Sequence, residues 1–283
     1  MRKLPKRLLV TFTGLLMVLP TAVAATATAA AASPGHSDDR PGRPLKVLTY
    51  NIHHAAGTDG VLDLERIAQV IEDSDADVIG LQEVDNHWSV RSNWEDQAAW
   101  FARRLHMHYA FAANLDLPPL NPGEPRRQYG TAVLSKTPIR DFHNTLLPLY
   151  PTGEQRGLAV ATIKVRGQNV RFANTHLTSN NNAERLEQAK KVVELLAGSK
   201  TPTLLVGDLN ATPEKPEITT LTAVWRDTWA EIGVGPGYTI EADIPTARID
   251  FVLHTRTLRP TTAEVITTNG SDHLPVAATF TLR

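Results

Sequence analysis

Short apolar runs of strand length recur along this chain, and several of them stop at the same kind of polar cluster. Tyr50-Asn51, Gln82-Glu83, Asn174-Thr175-His176, Gly207-Asp208-Leu209-Asn210 and Ser271-Asp272-His273 are those clusters. The strand-like runs are Leu45–Tyr50, Val78–Gln82, Tyr109–Ala113, Gly130–Ser135, Leu158–Val165, Val170–Asn174, Thr203–Val206, Ile249–Leu253, Thr262–Thr267 and Val276–Leu282. Among them lie amphipathic segments that read as helices. Leu64–Glu72 has Asp63 as N-cap and Leu64, Ile67, Ala68 and Ile71 on one face; Glu95–Leu105 and Ala183–Leu196 are the others. Strands buried on both faces, alternating with helices, predict a mixed α/β architecture. Leu158–Val165 and Val170–Asn174 read as a hairpin across Arg166-Gly167-Gln168-Asn169, and Pro118–Pro125 as a loop.

The start of the chain has a different character. Arg2, Lys3, Lys6 and Arg7 precede an apolar stretch from Leu8 to Leu19 and an Ala-rich run to Ala32, the pattern of a secretory signal peptide over residues 1–32. An uncleaved membrane anchor over Leu8 to Ala32 is the rival reading. Residues 33–43, polar and rich in Pro, Gly and Asp, suit a flexible tether, with one domain over 44–283. A secreted, extracellular protein is expected. The 283-residue chain has 29 basic and 30 acidic residues, and residues 1–32 hold four of the basic ones, so 25 face 30 afterwards, a formal net of −5. That balance argues against binding nucleic acid mainly by neutralising phosphates. With no cysteine, disulfide scaffolds, thiolate metal sites and lipidation at cysteine are excluded.

Each polar cluster has a bland reading beside a chemical one. Asp208 and Asn210 follow the run Thr203–Val206, where alternation would put both on one face to orient a water and bind a cation; an Asp/Asn turn explains them equally. Glu83 leaving a buried strand suits a cation partner or is a surface glutamate, and Asn51 serves the site or a turn. His176 and His273 are ligand-handling groups or satisfied core histidines. Asp250, inside the apolar run Ile249–Leu253, needs a partner, and facing His273 it would fix that ring's tautomer and raise its pKa. Arg126-Arg127, and Arg91 with Trp88 and Trp94, line an anion-accepting groove or are ordinary surface and core residues.

Asn51, Leu81-Gln82-Glu83-Val84, Tyr129-Gly130, Asn174-Thr175-His176-Leu177, Gly207-Asp208-Leu209-Asn210, Arg248-Ile249-Asp250-Phe251 and Ser271-Asp272-His273-Leu274-Pro275 occur in the order seen in the endonuclease/exonuclease/phosphatase superfamily. From Pro44 to Arg283 the chain resembles a secreted bacterial-type member of that DNase I-like group. The resemblance implies an α/β (α+β) four-layer sandwich: two mixed β-sheets packed face to face and flanked by helices. It also implies a Mg²⁺-dependent phosphoric-ester hydrolase, with Mn²⁺ able to substitute. Glu83 would be the main metal ligand with Asn51 and Asp272 nearby, and Asp208, helped by Asn210, would orient the attacking water. His273, held by Asp250, and His176 would steady phosphoryl oxygens, Tyr129 would contact one, and Arg156 would be a weaker phosphate ligand. A phosphodiesterase acting as a monomer without a stable protein partner is expected; the alternatives are a lipid phosphodiesterase of sphingomyelinase or phospholipase C type, an extracellular DNase, and an inactive binding module on the same fold. Two departures stand out. No Asp or Glu lies between Glu124 and Asp141, where DNase I-like enzymes keep a carboxylate for the first histidine, and His53 stands where abasic-site endonucleases carry an aspartate.

Overall fold

The computed structural model describes residues 44–282. The signal peptide and tether expected over residues 1–43 lie outside the described residues. Strand β1 (Leu45–Asn51) is followed by helix α1 (Leu64–Ser74), β2 (Val78–Asn86), α2 (Gln97–Leu105), β3 (His108–Leu117), β4 (Arg127–Ser135) and β5 (Ile139–Leu146). Then come β6 (Gly157–Val165), β7 (Gln168–His176), α3 (Asn182–Leu196), β8 (Thr203–Asp208) and α4 (Pro216–Thr222). The short β9 (Arg226–Asp227) and α5 (Thr228–Ile232) lead to β10 (Asp250–His254), β11 (Leu258–Val265) and β12 (Val276–Leu282). One six-stranded sheet has the order β11-β12-β1-β2-β4-β3 and the other β5-β6-β7-β8-β10-β9. Both are mixed, because β1 with β2 and β7 with β8 run parallel while their other pairings are antiparallel.

Three apolar layers hold these elements together, and the two-residue period of the strands sorts side chains among them. Leu48, Ile79, Leu81 and Leu134 turn outward onto Ile67, Ile71 and Phe101 of α1 and α2. Leu158, Leu205 and Leu253 turn outward onto Ala189, Val192, Ile218 and Leu221 of α3 and α4. Val47, Val78, Val133 and Phe280 meet Phe172, Leu204, Val206 and Val252 between the sheets. The expected helix–sheet–sheet–helix sandwich is therefore what forms.

Local signals set the boundaries. Asp63 caps α1 by accepting from Arg66 N at 3.0 Å, Asp96 caps α2 by accepting from Ala99 N at 3.0 Å, and Asn181 caps α3. The cap at Asp96 explains why α2 begins at Gln97 rather than Glu95. The β6–β7 hairpin is tighter than expected: Val165 pairs with Gln168, leaving Arg166 (φ 51°) and Gly167 (φ 79°) as a two-residue turn with positive φ at both positions. Several strands also outrun their apolar residues. β2 continues through Gln82-Glu83 to Asn86 across a bulge, where Leu81 opposes Ala132 but Val84 opposes Gly130, and Glu83 takes φ 57°.

The inner faces change character along the strands. Val47-Thr49-Asn51, Val78-Gly80-Gln82, Phe172-Asn174-His176 and Leu204-Val206-Asp208 each progress from apolar packing to polar groups, and their registers match: Asn51 opposite Gln82, His176 opposite Asp208, Asp208 opposite Asp250. Where the change occurs, Gln82 Nε2 donates to Asn174 Oδ1 (2.7 Å) and to Thr49 Oγ1 (3.1 Å), and Asn174 Nδ2 donates to the carbonyls of Leu81 and Ala132 (2.9 Å each). All three side chains are fully buried. Replacing Asn174 with Ala takes one acceptor from the Gln82 amide, which keeps Thr49 Oγ1 and Gly80 O, and removes the side-chain donor from two buried carbonyls. At about 1–3 kcal/mol for each unsatisfied buried group the expected loss is about 2 kcal/mol or more, measured as a lower midpoint in urea unfolding.

Candidate active site

Beyond that amide layer, Asn51, His176, Asp208 and Asp250 emerge together at one end of the sandwich. Asn51 is the hub: its Nδ2 donates to Glu83 Oε1 (3.1 Å) and Asp208 Oδ2 (3.0 Å) and lies 3.4 Å from His273 Nε2, while its Oδ1 accepts from His53 N (3.1 Å). The bulge of β2 aims Glu83 at this point. Asp208 and Asn210 do meet, but through a turn rather than through strand alternation. β8 ends at Asp208, whose Oδ1 accepts from Asn210 N (2.9 Å), and Asn210 takes φ 50°. Gly207 before them has φ 146°, and a Cβ there would fall 1.9 Å from Thr175 O, so only glycine allows β8 to pass β7 this closely.

The loop before β12 supplies His273. Its Nδ1 lies 2.9 Å from Asp250 Oδ2 and its Nε2 3.6 Å from Asp208 Oδ2. Burial opposes its protonation, but Asp250 and Asp208 outweigh burial, so its pKa is raised and an imidazolium sits between two carboxylates. Asp208 is shifted upward by its own burial, with Asp250 adding to the shift and His273 opposing it.

His176 is treated in the opposite way. Its Nε2 lies 3.3 Å from Asp208 Oδ2 and 3.0 Å from Asn210 Nδ2, which donates to Leu177 O (2.9 Å). Its Nδ1 lies 3.1 Å from Arg156 Nη1. A guanidinium only donates, so Nδ1 is the acceptor here, and Nε2 faces the Asp208 carboxylate and the Asn210 amide together. Burial, then Arg156 and His273, push the pKa of His176 well below its usual value. Arg156 thus takes the side of the ring for which the sequence offered no carboxylate partner; it is itself buried and paired with Glu154 (2.9 Å). Tyr129, its hydroxyl kept protonated by burial and by nearby Glu83, borders the same space and also hydrogen-bonds Arg156.

Asp272 stands apart from this tight group. Half-exposed, it lies 3.2 Å from Ser271 Oγ and reaches the site through His53, whose Nδ1 is 3.7 Å away. Ser271 in turn donates to Asn51 O (2.8 Å). Arg126 pairs with Asp116 (2.6 Å) and Arg127 donates to Pro118 O (3.0 Å), both bracing the β3–β4 connection. Arg91 joins the site's edge instead, bonded twice to Asp85 and lying 5.8 Å from the Trp88 ring centre and 5.5 Å from that of Tyr129. The contributions of Gln82 and Ser271 were visible only as members of polar clusters, and His54 carried no sequence signal beyond adjacency to His53.

Two carboxylates, Glu83 and Asp208, converge on one neutral amide. Like charges placed so close suit a cation nearby, so the site fits the metal that the motifs imply. The model of the Endonuclease/Exonuclease/phosphatase family matches residues 48–273, and the chain belongs to that family. It is a hydrolase of this metal-dependent phosphoesterase family. No curated protein sequence matches it. An endonuclease/exonuclease/phosphatase from Beutenbergia cavernae is similar in structure, 27% identical over 85% of this chain and 72% of its own, with a TM-score of 0.71. A mannosyl-6-phosphatase from Bacteroides thetaiotaomicron (20% identity, 84% of this chain and 100% of its own, TM-score 0.68) shares the fold. So does the human Nocturnin catalytic domain with bound sulfate (20% identity, 85% and 95%, TM-score 0.66).

The contrast between the two histidines is testable. Replacing Arg156 with Met removes the charge that opposes protonation of His176, so its pKa should rise toward the ordinary histidine value; NMR titration of the His176 ring should show no transition between about pH 5 and 8 in the parent and one entering that window in the variant.

Proposed function

We propose that this protein is a secreted, Mg²⁺-dependent phosphodiesterase in which Asp208 orients the water that attacks phosphorus. One observation carries the reading: Asp208 Oδ2 lies within 3.0–3.6 Å of Asn51 Nδ2, His176 Nε2 and His273 Nε2 at the open end of the sandwich. A buried carboxylate ringed by a neutral amide, a neutral imidazole and an imidazolium is oriented without being cancelled.

Glu83 and Asp272 would hold the cation, with Asn51 beside them, and bound Mg²⁺ supplies a positive charge that offsets charge developing on phosphoryl and leaving oxygens. The chain's own groups do the rest. Asp208, with its Oδ1 pinned by Asn210 N, presents Oδ2 to a water and accepts its proton. His273, held by Asp250, places a fixed positive charge toward the phosphoryl oxygens, and the neutral ring of His176 flanks Asp208 on the other side. Tyr129 donates from a hydroxyl that stays protonated. Preorganised donors of this kind account for most phosphoryl-transfer catalysis. Trp88 and Arg91, packed beside Tyr129, offer an aromatic and cationic shelf for a second ester group, which favours a diester.

Replacing Asp208 or His273 with Ala should leave the fold intact and lower turnover of bis(p-nitrophenyl) phosphate by about a hundredfold or more. Near-parental turnover in both variants would refute the assignment. EDTA should abolish turnover and added Mg²⁺ restore it, and Glu83→Gln should raise the Mg²⁺ concentration needed. The same assay run on plasmid DNA, RNA, sphingomyelin, phosphatidylinositol and sugar or nucleotide monoesters would name the substrate, and preference for a monoester would overturn the diester reading.

A further inference from the structure

His53 and His54 take no part in the chemistry above, yet they are held in a costly arrangement. They occupy the short turn His53–Ala55 after β1, with ring centres 4.6 Å apart, edge to face. Donor atoms of His53, His54 and Glu83 all lie within 4.8 Å of one another. The Nδ1 atoms of both histidines are buried and accept or donate no hydrogen bond. Burying a polar nitrogen without a partner is unfavourable unless something else occupies it.

The backbone points the same way. His53 (φ 44°), His54 (φ 44°), Ala55 (φ 64°) and Glu83 (φ 57°) all sit in the left-handed region, three of them consecutive and none a glycine. Such conformations persist only where the surroundings impose them, and they cluster at ligand sites. The restraints are visible: Asn51 Oδ1 accepts from His53 N (3.1 Å), Gln97 Nε2 donates to His54 O (2.7 Å), and Gln97 Oε1 accepts from Asp85 N (2.9 Å) beside Glu83. Gln97 is fully buried. The turn is thus tied at both ends, which turns two imidazoles toward one carboxylate.

We infer that His53, His54 and Glu83 form a second cation site, distinct from the oxygen site of Glu83, Asn51 and Asp272, that takes a borderline divalent transition ion of the Zn²⁺ type. Two imidazoles and one carboxylate suit such an ion, whereas Mg²⁺ prefers oxygen donors. Asp272, 3.7 Å from His53 Nδ1, adds negative charge from the other side. For its ligands the inference rests on this geometry alone; for its consequence it rests on the proposed phosphodiesterase, since Glu83 would be shared between two cations and bring a second positive charge to the same ester.

The test uses the full chain, stripped with EDTA and kept in excess Mg²⁺, titrated with Co²⁺ as a visible probe. A d–d absorption band saturating at one equivalent and removed by Zn²⁺ is expected. His54→Gln and His53→Gln should each weaken Co²⁺ binding at least about tenfold, the cost that even outer partners of a metal carry, while calorimetric Mg²⁺ affinity of His54→Gln stays as in the parent. Co²⁺ affinity unchanged in both variants would overturn the site. Should a variant fail to fold, carbethoxylation of His53, mapped by mass spectrometry in the unmodified sequence, decides: Zn²⁺ but not Mg²⁺ should protect it, and absence of protection overturns the site. Hydrolysis of bis(p-nitrophenyl) phosphate is read in parallel, and its absence would defeat the proposed activity while leaving the Co²⁺ result standing.

Discussion

A single amide–amide hydrogen bond, from Gln82 to Asn174 at 2.7 Å, joins the two sheets where their apolar interface ends. Everything polar at the site depends on this register. Gly80 beneath it has no side chain because a Cβ there would lie 2.6 Å from Val206 Cγ2 and 2.9 Å from Asn174 Cγ. The missing side chain lets the sheets come close at that point, which brings the two amides within reach. A slip of one residue in any central strand would send its inner face outward. Asn51, His176 or Asp208 would then face a helix layer instead of the other inner face. Neutral amides suit this task, since a buried ion pair in the same place would carry a larger desolvation cost.

Above the amide layer the site is organised by unequal treatment of two histidines around one carboxylate. His273 has Asp250 behind it and is held charged; His176 has Arg156 behind it and is held neutral. Environments that push like groups apart in pKa are the usual way one fold assigns separate proton roles at a single pH. Asp208 therefore meets a positive imidazolium on one side and a neutral imidazole on the other. With two neighbouring carboxylates and an imidazolium already present, one more negative phosphoryl group requires additional positive charge, which is the physical argument for a cation at Glu83.

Much of this was legible in the chain. Ten strands announced themselves as short apolar runs, the central ones because their residues are buried on both faces, and the helices because capping side chains precede amphipathic runs. β5 was not legible: Ile139–Leu146 is an edge strand with a bulge after Arg140, none of its residues fully buried, and its sequence has no reason to be apolar. Short α4 and α5 have too few turns for a repeating amphipathic pattern to stand out. In the site, Asp250 facing His273 could be expected because a carboxylate inside an apolar run demands a partner. The role of Arg156 could not, since it reaches His176 from the loop before β6, and nothing in the local pattern separates a phosphate ligand from a partner for a ring nitrogen. The positive φ at Glu83 was equally hidden, because a bulge is decided by the partner strand.

Arg156 also constrains how any leaving group departs. With Nδ1 of His176 facing a permanent cation, that ring cannot carry a second proton to hand over. His273 is charged, and the two carboxylates that raise its pKa, Asp250 and Asp208, make it a weak proton donor. Neither histidine is placed as a strong acid. Charge on the departing oxygen must then be balanced electrostatically instead of being quenched by proton transfer, and the burden falls on the groups that stay positive through turnover. A site built this way gains from every cation it can recruit near Glu83, which gives the strained turn at His53 and His54 a chemical reason to exist at the rim of this sandwich.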